Sequence, residues 1–522
     1  MKKESSFLSQ VPPLFSDLQK ILEGEIDCSH TTRTQFSTDG SPYTVLPQAI
    51  IYPKNSTDIK HILALSREYT IPITVRGKGV AKNGASLCEG IVLDLTRYFS
   101  HIRNINMMNN TITVDAGVTV HDLLLRLHSW HYDIPLLSMS DTDATIGAVV
   151  ATKSISSSSF HHSSVREWIE GMTIVVDNGE EHHLSDGITP SGRLLGIYQE
   201  VFPLLSQEAS VIRASKPKGR DDSTGYNIWS TSIGPRQLID QLTGSEGTLA
   251  ILTSITFRIT PHKPHTLTTC IPVLDKKQIP VYSDIATHHQ AESIFMYDEA
   301  FMQLSERYHP TLTPYFPNTP YALLVTHTAH DTDKLHSLVR SFRNALPVES
   351  FLLKTIDDKK ILLRIMSSEF LFLLFSLYTQ DTLTPITIGD GIITSPHNLP
   401  LLITELEDYL NSLGKLYTIT GNVGSGHISV ITLFDNRSPT YTEDTMNYGR
   451  RIFTIVKKYN GGMSASGGEG LSRTPFLPYF YSESTLTLFK RIKDIWDPLA
   501  ILNTGKKINV SVNYLQQHTK KG

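Results

Sequence analysis

The chain has 522 residues, of which 40% are hydrophobic and 19% charged, and its formal net charge is −4. That length is too great for one core and suits two or three domains, while the slightly acidic balance excludes the basic face that a nucleic-acid partner needs. Three cysteines, Cys28, Cys88 and Cys270, exclude a disulfide framework and are too few for a cluster held by four thiolates.

The first residues, MKKESSFLSQVPP, hold no apolar core of signal-peptide length. The longest apolar run, Phe370 to Phe375, falls far short of the roughly 20 residues that span a bilayer. A cytoplasmic protein is expected, with that run in a buried helix and at most a peripheral contact with membranes.

Leu14 to Leu22 reads as a helix, and a polar approach follows to residue 42. Gln48 to Tyr52 is a short apolar strand ended by Pro53. Ser56-Thr57-Asp58 reads as the cap of a helix whose stripe is Ile59, Ile62, Leu63 and Leu65. Ile71 to Val75 is the next strand and runs straight into a glycine loop, Arg76-Gly77-Lys78-Gly79-Val80-Ala81-Lys82-Asn83-Gly84-Ala85. No helical pattern follows this loop, and no acidic residue ends a next strand in the right context, so it is a poor dinucleotide fingerprint. Its backbone amides could still cradle a pyrophosphate.

Ile91 to Leu95 and Thr111 to Ala116 are further strands, and Trp168 to Gly179 is a strand with a hairpin turn. A second tight turn, Gly244-Ser245-Glu246-Gly247, feeds Thr248, Leu249, Ile251, Ile255 and Phe257, a strand pattern that Pro261 stops. Glycines beside a strand let a backbone approach something closely, although an ordinary hairpin turn reads the same. Beyond Pro261 amphipathic helices appear, such as Asp333 to Ala345 with Leu335, Leu338, Val339 and Phe342, interspersed with strands such as Tyr321 to Thr326. This alternation predicts α/β or α+β packing. The expected divisions are an approach segment (1–42), a first domain (43–261), a second domain (262–510) and a disordered polar tail (511–522).

Several stretches together resemble the flavoproteins of the vanillyl-alcohol-oxidase type, in the branch holding D-lactate dehydrogenases and the glycolate oxidase flavin subunit. The Arg76 loop is similar to the family's R-G-G-G-T-S-L-x-G, with Val80 where a threonine is usual, and Gly244 to Ala250 is similar to G-S-E-G-T-L-G. Arg33 to Ser41 resembles R-x-x-Y-S-T-D-A-S. Thr145-Ile146-Gly147-Ala148 resembles A-T-I-G-G without its last glycine, and a serine run from Ser154 to Ser159 follows it. Lys216 to Ile228 resembles a loop of the D-lactate dehydrogenase branch, and Ile492 to Lys506 resembles the closing I-K-x-x-F-D-P-x-x-I-L-N-P-G-K.

The resemblance implies an FAD-binding domain of the p-cresol-methylhydroxylase (PCMH) type, built of two α/β subdomains, and an FAD-linked oxidase C-terminal domain whose residues 461–510 return to the flavin. It implies FAD bound by Arg76, Gly77, Lys78, Gly79, Val80, Ala81, Gly84, Ala85, Ser140, Thr145, Ile146, Gly147, Gly244, Glu246, Gly247, Thr248, Ile251, Asn503 and Lys506. The Arg76 loop holds no histidine, so a non-covalent flavin is expected.

The same family oxidises D-2-hydroxy acids over the flavin and passes electrons to a quinone, a cytochrome or a separate iron–sulfur protein. Its metal motif G-H-x-G-D-G-N-x-H aligns with Gly421 to Ser429, and S-G-E-H-G-x-G with Ser464 to Gly470. Asn422, Ser429 and Ser466 then stand at three ligand positions. An amide and two hydroxyls will not hold zinc, so no stoichiometric divalent metal is expected there.

His427 alternates with Ser429 on a strand pattern, about 7 Å apart on one side, and could act as a general base, with Glu469 to orient it. A structural histidine fits the pattern equally well. Arg364, amid apolar neighbours, could fork onto a substrate carboxylate or pair with an acidic side chain. The doublets His161-His162, His182-His183 and His288-His289 read as surface, because adjacent residues point apart. The expected activity is oxidation of D-lactate or glycolate. The alternatives are a different alcohol substrate and a catalytically silent flavoprotein subunit.

Overall fold

The structure is a computed structural model describing residues 12–137, 143–154, 159–162, 164–218, 222–232, 234–308, 310, 318–353, 383–508 and 510–520. Ser140, Arg364 and the Phe370–Phe375 run lie outside the described residues.

A four-stranded sheet starts the chain. Its strands are β1 (Glu25–Asp27), β2 (Ala49–Tyr52), β3 (Ile73–Arg76) and β4 (Ile91–Asp94), in the order β1-β2-β4-β3. β2, β4 and β3 run parallel, and β1 is antiparallel to β2. All four residues of β2 and of β4 are buried, as parallel strands covered on both faces require. The helix Ser56–Tyr69 is capped by Asn55, whose side chain accepts from the Asp58 amide. Asp58, expected to help cap this helix, instead accepts from the amides of Glu23, Gly24 and Lys54.

An antiparallel sheet follows, made of β5 (Ile102–Asn106), β6 (Thr111–Asp115), β8 (Ile169–Val175), β9 (Glu181–Ser185) and β10 (Ile251–Arg258), in the order β5-β6-β10-β8-β9. β10, the strand fed by the Gly244 turn, is central and pairs with both β6 and β8. A two-residue ribbon, β7 (Tyr132–Asp133) with β11 (Thr260–Pro261), closes this domain.

The second domain holds one seven-stranded antiparallel sheet. Its strands are β12 (His265–Val273), β13 (Ser293–Asp298), β14 (Tyr321–Ala329), β15 (Phe351–Leu353), β16 (Thr384–Ile393), β17 (Tyr417–Asn422) and β18 (His427–Phe434), in the order β15-β12-β14-β13-β17-β18-β16. The chain then comes back to the first domain. Ile73 donates its amide to Ile501 O (2.7 Å) and Asn503 donates to Ile73 O (2.7 Å), so residues 501–503 line the edge beside β3.

The tail departs from the expectation of disorder. Val512–His518 is helical, and its Leu515 is buried with Tyr43, Val45, Leu87 and Leu471. The amides of Thr44 and Lys520 donate to His518 O and Pro42 O. One apolar side chain in a polar stretch is enough to seat it.

Candidate functional site

Four loops meet at one edge of the first domain. The glycine loop leaves β3 with Lys78 and Val80 exposed and Gly77, Gly79, Ala81 and Lys82 half-buried. A Cβ on Gly77 would collide with the Thr145 side chain, so only glycine lets the backbone here approach Thr145 this closely. Thr145 caps the short helix Ile146–Ala151, and the Gly147 amide donates to Ala116 O (2.8 Å). The Gly244 turn lies against that helix, with the Gly244 amide on Val150 O (2.9 Å) and the Glu246 amide on Ala151 O (2.8 Å). Asn503 ties the third and fourth loops to the first. Its side-chain amide donates to Glu246 O (2.6 Å) and Ala85 O (3.2 Å), and its carbonyl accepts from the Thr74 hydroxyl.

The side chains named from the sequence mostly brace the loops. Arg76 donates to Phe36 O (3.1 Å) and Thr38 O (2.9 Å), under the Phe36 ring. Lys506 donates to Leu87 O (2.5 Å). Thr248 bonds Ser245 O and the Tyr226 hydroxyl, and Ile251 is fully buried in β10. Of these loops, residues 77–82 are the most open to solvent, and their backbone amides would suit a pyrophosphate.

Glu469 is not beside His427. It lies in a fully buried ion cluster, where Lys507 Nζ is 2.5 Å from Glu469 Oε2 and 3.4 Å from Glu246 Oε1. Glu246 also accepts from the amides of Glu469 (2.6 Å) and Gly470 (2.9 Å), and Glu469 accepts from the Gly225 amide (3.0 Å). Burial pushes the Glu469 carboxyl up to about 7 against the pull of the Lys507 ammonium. This cluster clamps the Gly244 turn to the returning C-terminal segment.

The second domain faces the glycine loop through β16 and β18. The Thr387 hydroxyl donates to Lys82 O (2.7 Å), and the Asn83 side chain donates to Gly467 O (2.7 Å) and Gly468 O (3.0 Å). Asp390 falls within the second of two register shifts in β16, with Gly391 next to it at φ +83°, and this irregularity re-aims its carboxylate. Asp390 accepts from the Ser429 hydroxyl (2.5 Å). Burial alone would raise its pKa, but Lys82, Arg473 and Ser429 hold it below the usual carboxylate range.

Across the strand pair, Ile393 opposes His427, which is half-buried. Its Nε2 is shielded from solvent and has no hydrogen-bond partner among the described residues. Burial lowers the imidazole pKa below its ordinary value of 6.5, and Asp390 opposes that shift. Arg473, buried beneath, donates to the carbonyls of Asp390, Met463 (3.3 Å), Ser466 (3.3 Å) and Gly468.

Asn83, Asp390, Arg473 and Lys507 are functional candidates that the sequence reading missed. Only Lys507 carried a local signal, as the second lysine after Asn503-Thr504-Gly505. The family's metal does not fit here. Ser429 is committed to Asp390, Asn422 and Ser466 offer an amide and a hydroxyl, and among the described residues no three histidine, cysteine or acidic ligand atoms converge on this spot. Two surface doublets are also corrected, since only 10% of the His182 side chain is exposed, with its Nε2 3.2 Å from Glu180. His162 Nε2 sits 2.5 Å from Glu292, with only 15% of its side chain exposed, and bridges the two domains.

Residues 47–185 match the model of the FAD binding domain, and residues 279–507 match that of the FAD linked oxidases' C-terminal domain. The chain belongs to the FAD-linked oxidases. This FAD-linked oxidase is 24% identical to the D-2-hydroxyglutarate dehydrogenase of Pseudomonas putida over 92% of its length, and spans about half (50%) of that protein. It is 23% identical to glycolate oxidase subunit GlcD of Bacillus subtilis, covering 92% of this chain and 93% of that one. Its fold is that of p-cresol methylhydroxylase, at a TM-score of 0.70 with 13% identity, covering 95% and 96% of the two chains. FAD is the cofactor.

Proposed function

We propose that this FAD-linked oxidase oxidises a small D-2-hydroxy acid to the 2-oxo acid, with His427 taking the hydroxyl proton. The observation that carries the reading is the unpartnered, shielded Nε2 of His427 at the start of β18, near Asp390. Burial keeps that imidazole neutral at neutral pH, which is the form a base needs. The ionised Asp390 favours the imidazolium that forms, a task the sequence had assigned to Glu469. Bound FAD supplies the two-electron acceptor for the hydride that leaves the substrate carbon. Lys82 and the backbone-capped Arg473 make the pocket electropositive and suited to a carboxylate, and Arg364 is retained as the second anchor.

Relatives named for D-2-hydroxyglutarate and glycolate set the substrate panel, together with D-lactate. Anaerobic mixing should bleach the flavin with at least one of the three. If none of them reduces it, the replaced ligands Asn422, Ser429 and Ser466 favour another alcohol or a silent flavoprotein. Electron acceptors of the quinone, cytochrome or iron–sulfur class complete the cycle. Among the described residues no helix is long and apolar enough to cross a membrane.

Two further outcomes are expected. Acid precipitation should release the flavin into the supernatant, because residues 76–85 contain no histidine to bond it; flavin remaining in the pellet would refute this. Arg364→Lys should raise KM for the hydroxy acid by more than it lowers kcat, since an ammonium cannot reproduce a bidentate fork. Equal KM values in the two proteins would remove Arg364 from the site.

A further inference from the structure

A second cluster lies where the first domain hands over to the second. His128 occupies the last turn of the helix Val120–Ser129. A tight turn with His131 at φ +63° follows and leads to Asp133 in β7. β7 pairs with β11, Asp133 opposite Thr260, and the next residue, His262, donates its amide to His131 O (2.9 Å). The ribbon therefore sets Asp133 and His262 side by side, and the helix end lays His128 over them.

The resulting geometry has the dimensions of a coordination sphere. His128 Nε2 is 3.4 Å from Asp133 Oδ1, and His262 Nδ1 is 3.3 Å from Asp133 Oδ2. The two imidazoles stack at 4.0 Å with 30° between their planes, and the three ligand atoms lie within 4.8 Å of one another. Tetrahedral bonds of about 2.0–2.1 Å to nitrogen and oxygen place neighbouring ligand atoms about 3.3–3.4 Å apart. His128 Nε2 is shielded and makes no hydrogen bond of its own. A divalent ion uses both imidazole lone pairs and the carboxylate at once.

We propose that His128, Asp133 and His262 bind one divalent transition-metal ion of the zinc class. Two imidazoles and one carboxylate suit zinc or cobalt better than calcium or magnesium, which prefer all-oxygen shells. The three side chains are 30%, 22% and 25% exposed, which leaves a path for the ion and a position for water. This site is separate from the positions of Asn422, Ser429 and Ser466 in the second domain, and it does not depend on the hydroxy-acid reading.

Its role is structural. Val120 at the other end of the same helix donates its amide to Ala144 O (2.8 Å), next to the Thr145 loop, and ten residues of helix put that end roughly 15 Å from the ion. His262 O is bonded by His330 Nδ1 (3.0 Å), just past β14. An ion here ties the helix end, the ribbon and the strand that leaves for the second domain into one joint.

The test uses FAD-loaded protein stripped with a chelator and then titrated with Zn2+ alone. One equivalent should bind saturably at micromolar concentration and raise the melting temperature by several degrees. Co2+ in its place should give the visible absorption of a tetrahedral site. Asp133→Asn and His262→Gln should each weaken Zn2+ binding by at least about 100-fold while flavin content stays the same. His427→Ala should bind Zn2+ like the wild type. No saturable uptake by the wild type, no visible Co2+ bands, or uptake that both ligand variants retain would overturn the proposal; if one variant fails to fold, the other and the wild-type Co2+ spectrum still decide.

Discussion

His427→Ala is expected to slow anaerobic flavin reduction by roughly 10²- to 10⁴-fold, the usual scale for loss of a general base. Its FAD content should not change, because the four cofactor loops lie at residues 76–85, 145–147, 244–248 and 503–506 while His427 opens β18 in the other domain. The pH profile separates a base from a merely structural imidazole. A base must be neutral to accept the proton, so the rate is low where the ring is charged and rises with pH to a plateau. Burial lowers this imidazole below its ordinary 6.5, so the midpoint should fall on the acid side of that value. In His427→Ala that ionisation should vanish from the profile. Asp390→Asn should move the midpoint further toward acid, because it removes the carboxylate that favours the charged ring. If His427→Ala reduces its flavin at the wild-type rate with the same profile, His427 is a structural residue.

Lys507→Met should cost about 3–5 kcal/mol of folding stability, the range for removing one partner from a buried ion pair. The Lys507, Glu246 and Glu469 side chains are all 0% exposed. The ammonium also donates to Ser223 O (3.2 Å) and Gly225 O (2.9 Å), and methionine, though similar in length, offers none of these four partners a donor. Glu469, already pushed up to about 7 by burial, would then take up a proton at neutral pH. Glu246 would keep only the Glu469 and Gly470 amides.

Because the same cluster holds the Gly244 turn, the variant should also lose FAD on gel filtration. Adding Glu469→Gln removes one uncompensated carboxyl, so the double variant should recover part of the loss. Urea unfolding at matched FAD saturation measures both effects, since bound cofactor itself stabilises the fold. A Lys507→Met protein as stable and as yellow as the wild type would show that the cluster contributes nothing.

The two-domain α+β organisation was readable from the chain because its signals are local. A glycine that a neighbouring side chain packs against, as Thr145 does against Gly77, leaves its mark in one position. The strands β2, β3, β6 and β10 announce themselves by short β-branched runs ended by Pro or Gly. Site side chains were less legible. A motif shows which residues share a loop, but it does not separate a backbone that meets a ligand from side chains that brace it, as Arg76, Glu246, Asn503 and Lys506 do. The tail shows the same limit, since the composition of residues 511–522 reads as disorder while Leu515 finds a pocket supplied by residues far away in sequence.

The sequence by itself determined the order of the elements and the replacement of the family's ligands by Asn422, Ser429 and Ser466, both of which depend on residue type and short spacing. The tertiary structure decided which charges meet. Glu469 went to Lys507 and Glu246 because the returning chain threads between two loops, and Asp390 reached the His427 site because an irregularity in β16 turns it there. His128 and Asp133 meet His262 because a two-residue ribbon closes a long excursion of the chain. Such meetings depend on strand register and chain path, and neither is written in the spacing of residues along a single sequence.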